Sequence, residues 1–415
     1  IGCGYPAESA GKVASHSIHD RRRSLNFKPF CPMISLMPPD QPSKVPTRIA
    51  VVYHFLPNYR QGVFDALRAH PDTEVTFITG HSRPGQEGVQ EADGLDPTIV
   101  TNHWAAGTFL WQSGLLSALW KGRYDAVIFL GNWMWPSTWA GSLLTKARGA
   151  SVLYWTHGWT QAERGLKGVL RRLFYRMADR LLLYGERAAE IGRDHGFDDQ
   201  TLVVIGNSIP LPAGPADAIP LEIPEFEAPE LPMVLWIARL IEEKRPDLLI
   251  EAIAECEQRG RPLNVCFVGE GDQREATETQ ANALAPGRCA FLGAIHDEAE
   301  LARTFAAASV TAVPDYGGLT IPHSLVHGVP IVANDVAAAN GPEYEYLYPG
   351  INGTVFERND PAALADELIR WAYDQPLEGS RRDDVIARAR ADASPVANAE
   401  RIMEAVSSTL MSSDS

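Results

Sequence analysis

From Arg48 onward, short apolar runs alternate with stretches of helical spacing. Ile49-Ala50-Val51-Val52-Tyr53 has the length of a strand, and residues 61–69 then place Val63, Phe64 and Leu67 on one helical face. Residues 75–79, 126–130, 151–155, 180–183 and 202–205 repeat the strand signal, with helical patterns between most of them. Uninterrupted apolar runs of this length belong to strands covered on both faces, so the pattern predicts a parallel sheet wrapped by helices. The rhythm stops at Ile209. Residues 210–232 hold seven prolines and five acids. Proline fixes φ and lacks an N–H, which excludes a helix or inner strand and predicts a linker. The alternation then restarts. Strands are predicted at 233–238, 263–268, 289–292, 310–313, 330–333 and 353–356, and helices at 246–258, 274–284, 298–307 and 361–373, before a helical tail over 384–410.

The predicted fold class is α/β, with two doubly wound domains over 47–209 and 233–383, a linker over 210–232, and a C-terminal helix and tail over 384–415. Such sheets bind ligands outside the carboxyl ends of their strands, and two facing domains enclose a cleft. Residues 1–46 are rich in Pro, Ser and Arg without periodicity. They read as a disordered extension with no function assigned. Arg21, Arg22 and Arg23 precede no apolar run of signal-peptide length.

Composition narrows the classes. The chain has 415 residues, 45% hydrophobic and 21% charged, which is ordinary for a globular protein. A net charge of −15 argues against nucleic acid as the main partner. Five cysteines without a C-x-x-C pair argue against metal knuckles and a disulfide framework, and place the chain in the reducing cytoplasm. Residues 126–145 carry no charge over a span-like length. Gly131, Asn132, Pro136 and Gly141 within them favour a strand, a turn and a helix over a membrane span.

The second domain opens with Trp236-Ile237-Ala238-Arg239-Leu240-Ile241-Glu242-Glu243-Lys244. Two cations five residues apart, between a strand end and a helix start, suit a diphosphate: Arg grips two oxygens and Lys adds a point charge. A solvated loop paired to Glu242 and Glu243 fits the same spacing. This segment resembles the donor-domain start of the retaining glycosyltransferases of family GT4, which share the GT-B fold of two Rossmann-like domains facing a cleft. The likeness continues through Val268-Gly269-Glu270-Gly271, Phe291-Leu292-Gly293, Gly328-Val329-Pro330 and Gly350-Ile351-Asn352-Gly353. It is close over 233–373 and looser over 48–210. The resemblance implies that Arg239 and Lys244 hold the donor's diphosphate, that Gly269 belongs to the donor site, and that Leu292 and Gly293 lie near its base.

One departure stands out. Where the family carries two glutamates eight apart, alignment on Gly318-Leu319 puts Asp315 and His323. By resemblance, Asp315 accepts from sugar hydroxyls, His323 holds the ribose, and Gly317, Gly318 and Leu319 form the loop between them. Tyr316-Gly317-Gly318-Leu319-Thr320-Ile321-Pro322-His323-Ser324 looks like an active variant branch; a degenerate, non-catalytic nucleotide-sugar binder is the alternative, and a nucleotide-sugar epimerase a second. Glu343 either adds a carboxylate to the site or is a surface acid at a helix start.

In the first domain, Pro57-Asn58-Tyr59-Arg60 follows the first strand and resembles the family's P-x-Y-R loop. Tyr59 and Arg60 are expected to face the cleft on the acceptor side; pairing of Arg60 with Asp65 is the alternative. His157, in Thr156-His157-Gly158-Trp159, ends a strand where the family has H-G or H-D, and is expected at the reaction centre. Between Arg164 and Arg180, Leu166, Val169, Leu170, Leu173 and Met177 share one helical face while Arg164, Lys167, Arg171, Arg172 and Arg176 fall mostly on the other. This is either a helix that packs on the core or one that touches the inner membrane surface. No D-x-D, G-x-S-x-G, H-E-x-x-H or G-x-x-x-x-G-K-[ST] motif occurs. The reading is therefore a metal-independent transferase with no required cofactor, a nucleoside-diphosphate sugar as donor and a glycan or lipid-linked acceptor.

Overall fold

The computed structural model describes residues 46–82, 90–159, 161, 163, 165–212, 220–223 and 226–413. The extension over 1–46 lies outside them except for Pro46, as do parts of the 210–232 linker.

Two parallel sheets carry the fold. The first contains β1 (Thr47–Tyr53), β2 (Thr73–Thr79) and β3 (Thr98–Ile99). A hairpin of β4 (Thr101–Ala105) and β5 (Phe109–Ser113) follows, outside that sheet. β6 (Ala126–Leu130), β7 (Ser151–Thr156), β8 (Arg180–Leu183) and β9 (Leu202–Val204) complete the first sheet in the order β3-β2-β1-β6-β7-β8-β9. The second sheet has β10 (Met233–Ile237), β11 (Asn264–Val268), β12 (Cys289–Gly293), β13 (Val310–Val313), β14 (Ile331–Asn334) and β15 (Gly353–Phe356), in the order β12-β11-β10-β13-β14-β15. Both are doubly wound, as the runs of apolar residues predict. β1, β6, β7 and β10 are buried on both faces almost throughout.

The hairpin was not legible as strands. Its inward positions alternate Asn102, Trp104, Leu110 and Gln112, two of them polar. Gln112 Nε2 donates to Tyr53 O at 3.0 Å, so a hydrogen bond replaces the apolar signal. The expected linker is partly packed: Ile223 and Phe226 lie buried against the second sheet with Met233 and Leu235. The expected single helical tail is two helices, Gly379–Asp392 and Pro395–Ser413. A proline interrupts the helical hydrogen bonds between them. The first helix packs on the second sheet through Val385 and Ala389. The last returns to the first sheet, where Ala399, Ile402, Met403 and Val406 join Ile49, Val51 and Leu153. The chain thus crosses between lobes twice, after β9 and before the last helix. Asn398 Nδ2 ties the crossings by donating to Ile205 O and Gly206 O at 2.9 and 3.0 Å.

The uncharged window at 126–145 divides into β6 and the helix Pro136–Ala147. Among the described residues, no helix is long and apolar enough to cross a membrane.

Candidate active site

Strand order changes direction between β1 and β6 in one sheet and between β10 and β13 in the other. At such switch points the two adjacent loops part and leave a crevice at the carboxyl ends of the strands. The loops after β10 and β13 carry Arg239, Lys244, Asp315, Gly317, Gly318 and Leu319. The loop after β1 carries Tyr59 and Arg60, and His157 follows β7 one strand further along. The topology therefore gathers most of the residues singled out in the sequence.

On the second lobe, Arg239 is exposed and its side chain has no hydrogen-bond or ion-pair partner among the described residues, so pairing with Glu242 or Glu243 is not its role here. Lys244 donates to the carbonyl of Tyr316 and stands 5.3 Å from that ring. Burial and the charge of Arg239 lower its pKa to about 8, with Asp315 and Glu343 pulling the other way. Two cations are thus held together with no carboxylate among the described residues bonded to either, an arrangement that costs free energy until an anion arrives.

The glycines place this loop. Gly269 has φ of +142°, and a Cβ there would stand 1.8 Å from Ala238 O; one at Gly271 would stand 1.9 Å from Leu240 O. Leu240 N donates to Glu270 O at 3.0 Å. The turn after β11 therefore lies directly on the backbone that presents Arg239, so Gly269 acts by close packing. Leu292 is half-buried and Gly293 buried at the end of β12, where Gly293 O accepts from Gly269 N at 2.7 Å.

Asp315 departs from its expected role in part. Arg358, in the loop after β15, donates to Asp315 Oδ2 through Nε and Nη2 at 2.9 and 2.5 Å, and Tyr316 N–H donates to Oδ1 at 2.9 Å. Only the remaining lone pair of Oδ1 is left for a sugar hydroxyl. Gly317 and Gly318 donate their N–H groups to Asn340 Oδ1 and O at 3.2 and 3.0 Å, so these amides are spoken for. They differ in the room around them: a Cβ on Gly317 would stand 2.8 Å from Ile321 Cδ1, whereas one on Gly318, at φ +53°, would meet nothing within 4 Å. Leu319 is half-buried and precedes the short helix Thr320–Val326, which carries His323. His323 makes no side-chain hydrogen bond among the described residues, and burial lowers its pKa to about 4. It is neutral at pH 7, able both to donate and to accept.

Glu343 is no surface acid. It is 5% exposed, and its Oε1 accepts from Asn207 Nδ2 at 2.6 Å. Burial raises its pKa, opposed by the Asn207 hydrogen bond and by Arg60 and Lys244. Asn207, on the crossing between lobes, also accepts from Arg60 Nη2 at 3.3 Å. Arg60 is buried, donates to Tyr184 Oη at 2.6 Å and lies over the rings of Trp155, Tyr184 and Tyr59. It is not paired with Asp65, which instead accepts from Gln61. Arg60 Nη1 is buried without a partner among the described residues. His157 packs edge-on against Tyr184, ring centroids 4.5 Å apart. The residue reaches solvent, yet the protein around it and the charge of Arg60 lower its pKa to about 4.

One set of contacts therefore runs from His157 through Tyr184, Arg60 and Asn207 to Glu343, whose charge in turn acts on Lys244. Tyr184, Asn207, Asn340 and Arg358 were missed in the sequence. Tyr184 and Asn207 follow strands β8 and β9 at their carboxyl ends, the one signal that marks them. Among the described residues no three His, Cys, Asp or Glu side chains gather as a metal site.

Residues 231–374 match a domain family described as glycosyl transferases group 1, and residues 58–208 match a glycosyl transferase 4-like domain. The D-inositol 3-phosphate glycosyltransferase of Nocardia farcinica is 32% identical over 152 residues, which span 34% of this chain and 33% of that protein, about a third of each. Among solved structures, the lipopolysaccharide outer core galactosyltransferase WaaB matches 87% of this chain and 99% of its own, with a TM-score of 0.63 at 14% identity. Anabaena HepE in complex with UDP covers 87% of this chain and 100% of its own, with a TM-score of 0.65 at 16% identity.

Proposed function

We propose that this chain, which carries a glycosyl transferase domain match in each lobe, is a GT-B glycosyltransferase that moves a hexose-type sugar from a nucleoside-diphosphate sugar to a glycan or lipid-linked acceptor, with retention at the anomeric carbon. The setting is cytoplasmic synthesis of a surface polysaccharide or glycoconjugate. One observation carries the reading: Arg239 and Lys244 stand together at the switch point of the second sheet, with no carboxylate bonded to either among the described residues.

Leaving of the diphosphate breaks the bond between the anomeric carbon and a phosphate oxygen, and the electron pair stays on that oxygen. Arg239 and Lys244 stabilise the charge that develops there; fixed donors of this kind contribute about 3 kcal/mol each. The acceptor oxygen bonds to the anomeric carbon on the face the diphosphate leaves, and its proton passes to the departing phosphate. Neutral His157 holds a hydroxyl of sugar or acceptor, and Asp315 Oδ1 and His323 hold sugar and ribose. The two cations do the work that a metal on the diphosphate would do, so the reaction requires none.

The test is nucleotide release from a panel of UDP-, GDP- and dTDP-sugars, with and without chelator, followed by lipid and glycan acceptors. Release from one donor, insensitive to chelator and lost in Arg239→Ala/Lys244→Ala, supports the proposal. Tight donor binding without release under any acceptor makes the chain a binder, and no binding to any donor removes the proposal.

A further inference from the structure

The apolar stripe of the helix Gly165–Tyr175, which the sequence leaves between the core and a membrane surface, does not pack on the core. Leu166, Val169, Leu170 and Leu173 are 75%, 49%, 37% and 54% exposed. The buried face is built from other residues. Gly168 lets the backbone approach Glu163, whose carbonyl oxygen would stand 2.9 Å from a Cβ there. Arg171 Nη2 pairs with Glu163 Oε1 at 3.2 Å. Phe174 stacks on Tyr154 with ring centroids 4.3 Å apart, and Tyr175 Oη donates to Gly158 O at 3.3 Å. At 100° per residue the four exposed aliphatics form one stripe opposite Gly168 and Tyr175, with Lys167 on one edge and Arg172 and Arg176 on the other.

We propose that this helix docks the protein on an anionic lipid surface, lying in the interface with its leucines among the acyl chains. Charge decides the occupant. The chain has 52 acidic residues and a net charge of −15, yet residues 165–178 contain no acid and four cations. A stripe of aliphatic side chains edged by cations matches an interface of acyl chains and anionic headgroups, where leucine is buried and Lys and Arg reach the phosphates. The neighbouring helix Pro136–Ala147 touches this one through Trp139, 5.1 Å from Phe174, and four residues on, Leu143 is 61% exposed. The docking helix is also fastened to the reactive loop: Arg171 Nη1 and Tyr175 Oη both reach Gly158 O, next to His157. A surface held by this helix has a fixed position relative to His157. Lipid binding does not depend on the transferase reading; what the surface delivers to His157 does.

The full chain is mixed with vesicles of phosphatidylcholine alone or with added phosphatidylglycerol, and bound protein is measured by flotation. Binding to the anionic vesicles, weakened by salt, is expected. Leu166→Ser/Leu170→Ser/Leu173→Ser should weaken it at least about tenfold, and Lys167→Ala/Arg172→Ala about fivefold per cation. These changes sit on an exposed face, so far-ultraviolet circular dichroism and donor hydrolysis in solution should match the unchanged chain. Absence of binding, binding indifferent to both variants, or a self-association in solution that the leucine variant abolishes would each overturn the proposal.

Discussion

Glu345, from the second lobe, accepts hydrogen bonds from Arg187 N at 2.8 Å through Oε1 and from Glu186 N at 2.6 Å through Oε2. A carboxylate of one lobe therefore caps the first-lobe helix Glu186–Asp194. The approach is close, since a Cβ on Gly185 would stand 2.6 Å from Glu345 Oε1. Burial raises the pKa of Glu345.

Glu345→Ala should lower stability by about 1–2 kcal/mol, the usual worth of a cap, and speed hydrogen exchange at Glu186 and Arg187. Because the folded pKa lies above the unfolded one, the folded state binds more protons in that window. The group's contribution is therefore largest below the ordinary glutamate range and is lost as pH rises through the raised value. Denaturant unfolding across that range should show this slope in the unchanged chain and lose it in Glu345→Gln.

Lys244 gives a second pH window. With its pKa lowered to about 8, it is mostly cationic at pH 7 and neutral above 9. Affinity for a nucleoside diphosphate should fall as pH rises through this value, by up to about tenfold per unit. Calorimetric titration at several pH values reads this. Lys244→Arg should abolish the dependence, because an arginine stays charged. An unchanged pH profile in that variant would put the titrating group elsewhere.

The glycines divide into two kinds. Gly269→Ala forces a Cβ into Ala238 O and should cost several kcal/mol, with loss of donor binding as the Arg239 loop shifts. Gly318→Ala meets open space, so its cost is the left-handed backbone alone, about 1 kcal/mol. Thermal unfolding of the two variants side by side measures the difference.

Arg358 acts through Asp315. Arg358→Ala leaves a carboxylate that is 6% exposed with only the Tyr316 N–H, and should cost about 1–3 kcal/mol. In addition, the donor KM should rise, since Asp315 is no longer oriented. Asp315→Asn should raise KM while costing less stability in an Arg358→Ala background than alone. Additive losses would mean that the two residues are not coupled.

How far the sequence could be read follows from what signals each contact. Strands such as β1 and β10 are legible because burial on both faces demands unbroken apolar runs. The Arg239–Lys244 pair is legible because its spacing bridges a strand end and a helix start. Tyr184, Asn207 and Arg358 are not, because nothing local marks a polar residue whose partner lies more than 40 positions away. The helix Gly165–Tyr175 stays ambiguous in the sequence for the same reason: an apolar stripe does not record what it faces.

The sequence by itself determined the layers. Periodicity, proline and glycine act over a few residues, so they set two doubly wound sheets, the break between them and the loops at their strand ends. Only the tertiary structure decided which loops meet. Packing of the last helix back on the first sheet, the cap from Glu345 and the Asn207 bridge bring Arg60 and His157 to Glu343 and Lys244. Those choices depend on the three-dimensional fit of distant surfaces, which no window along the chain contains.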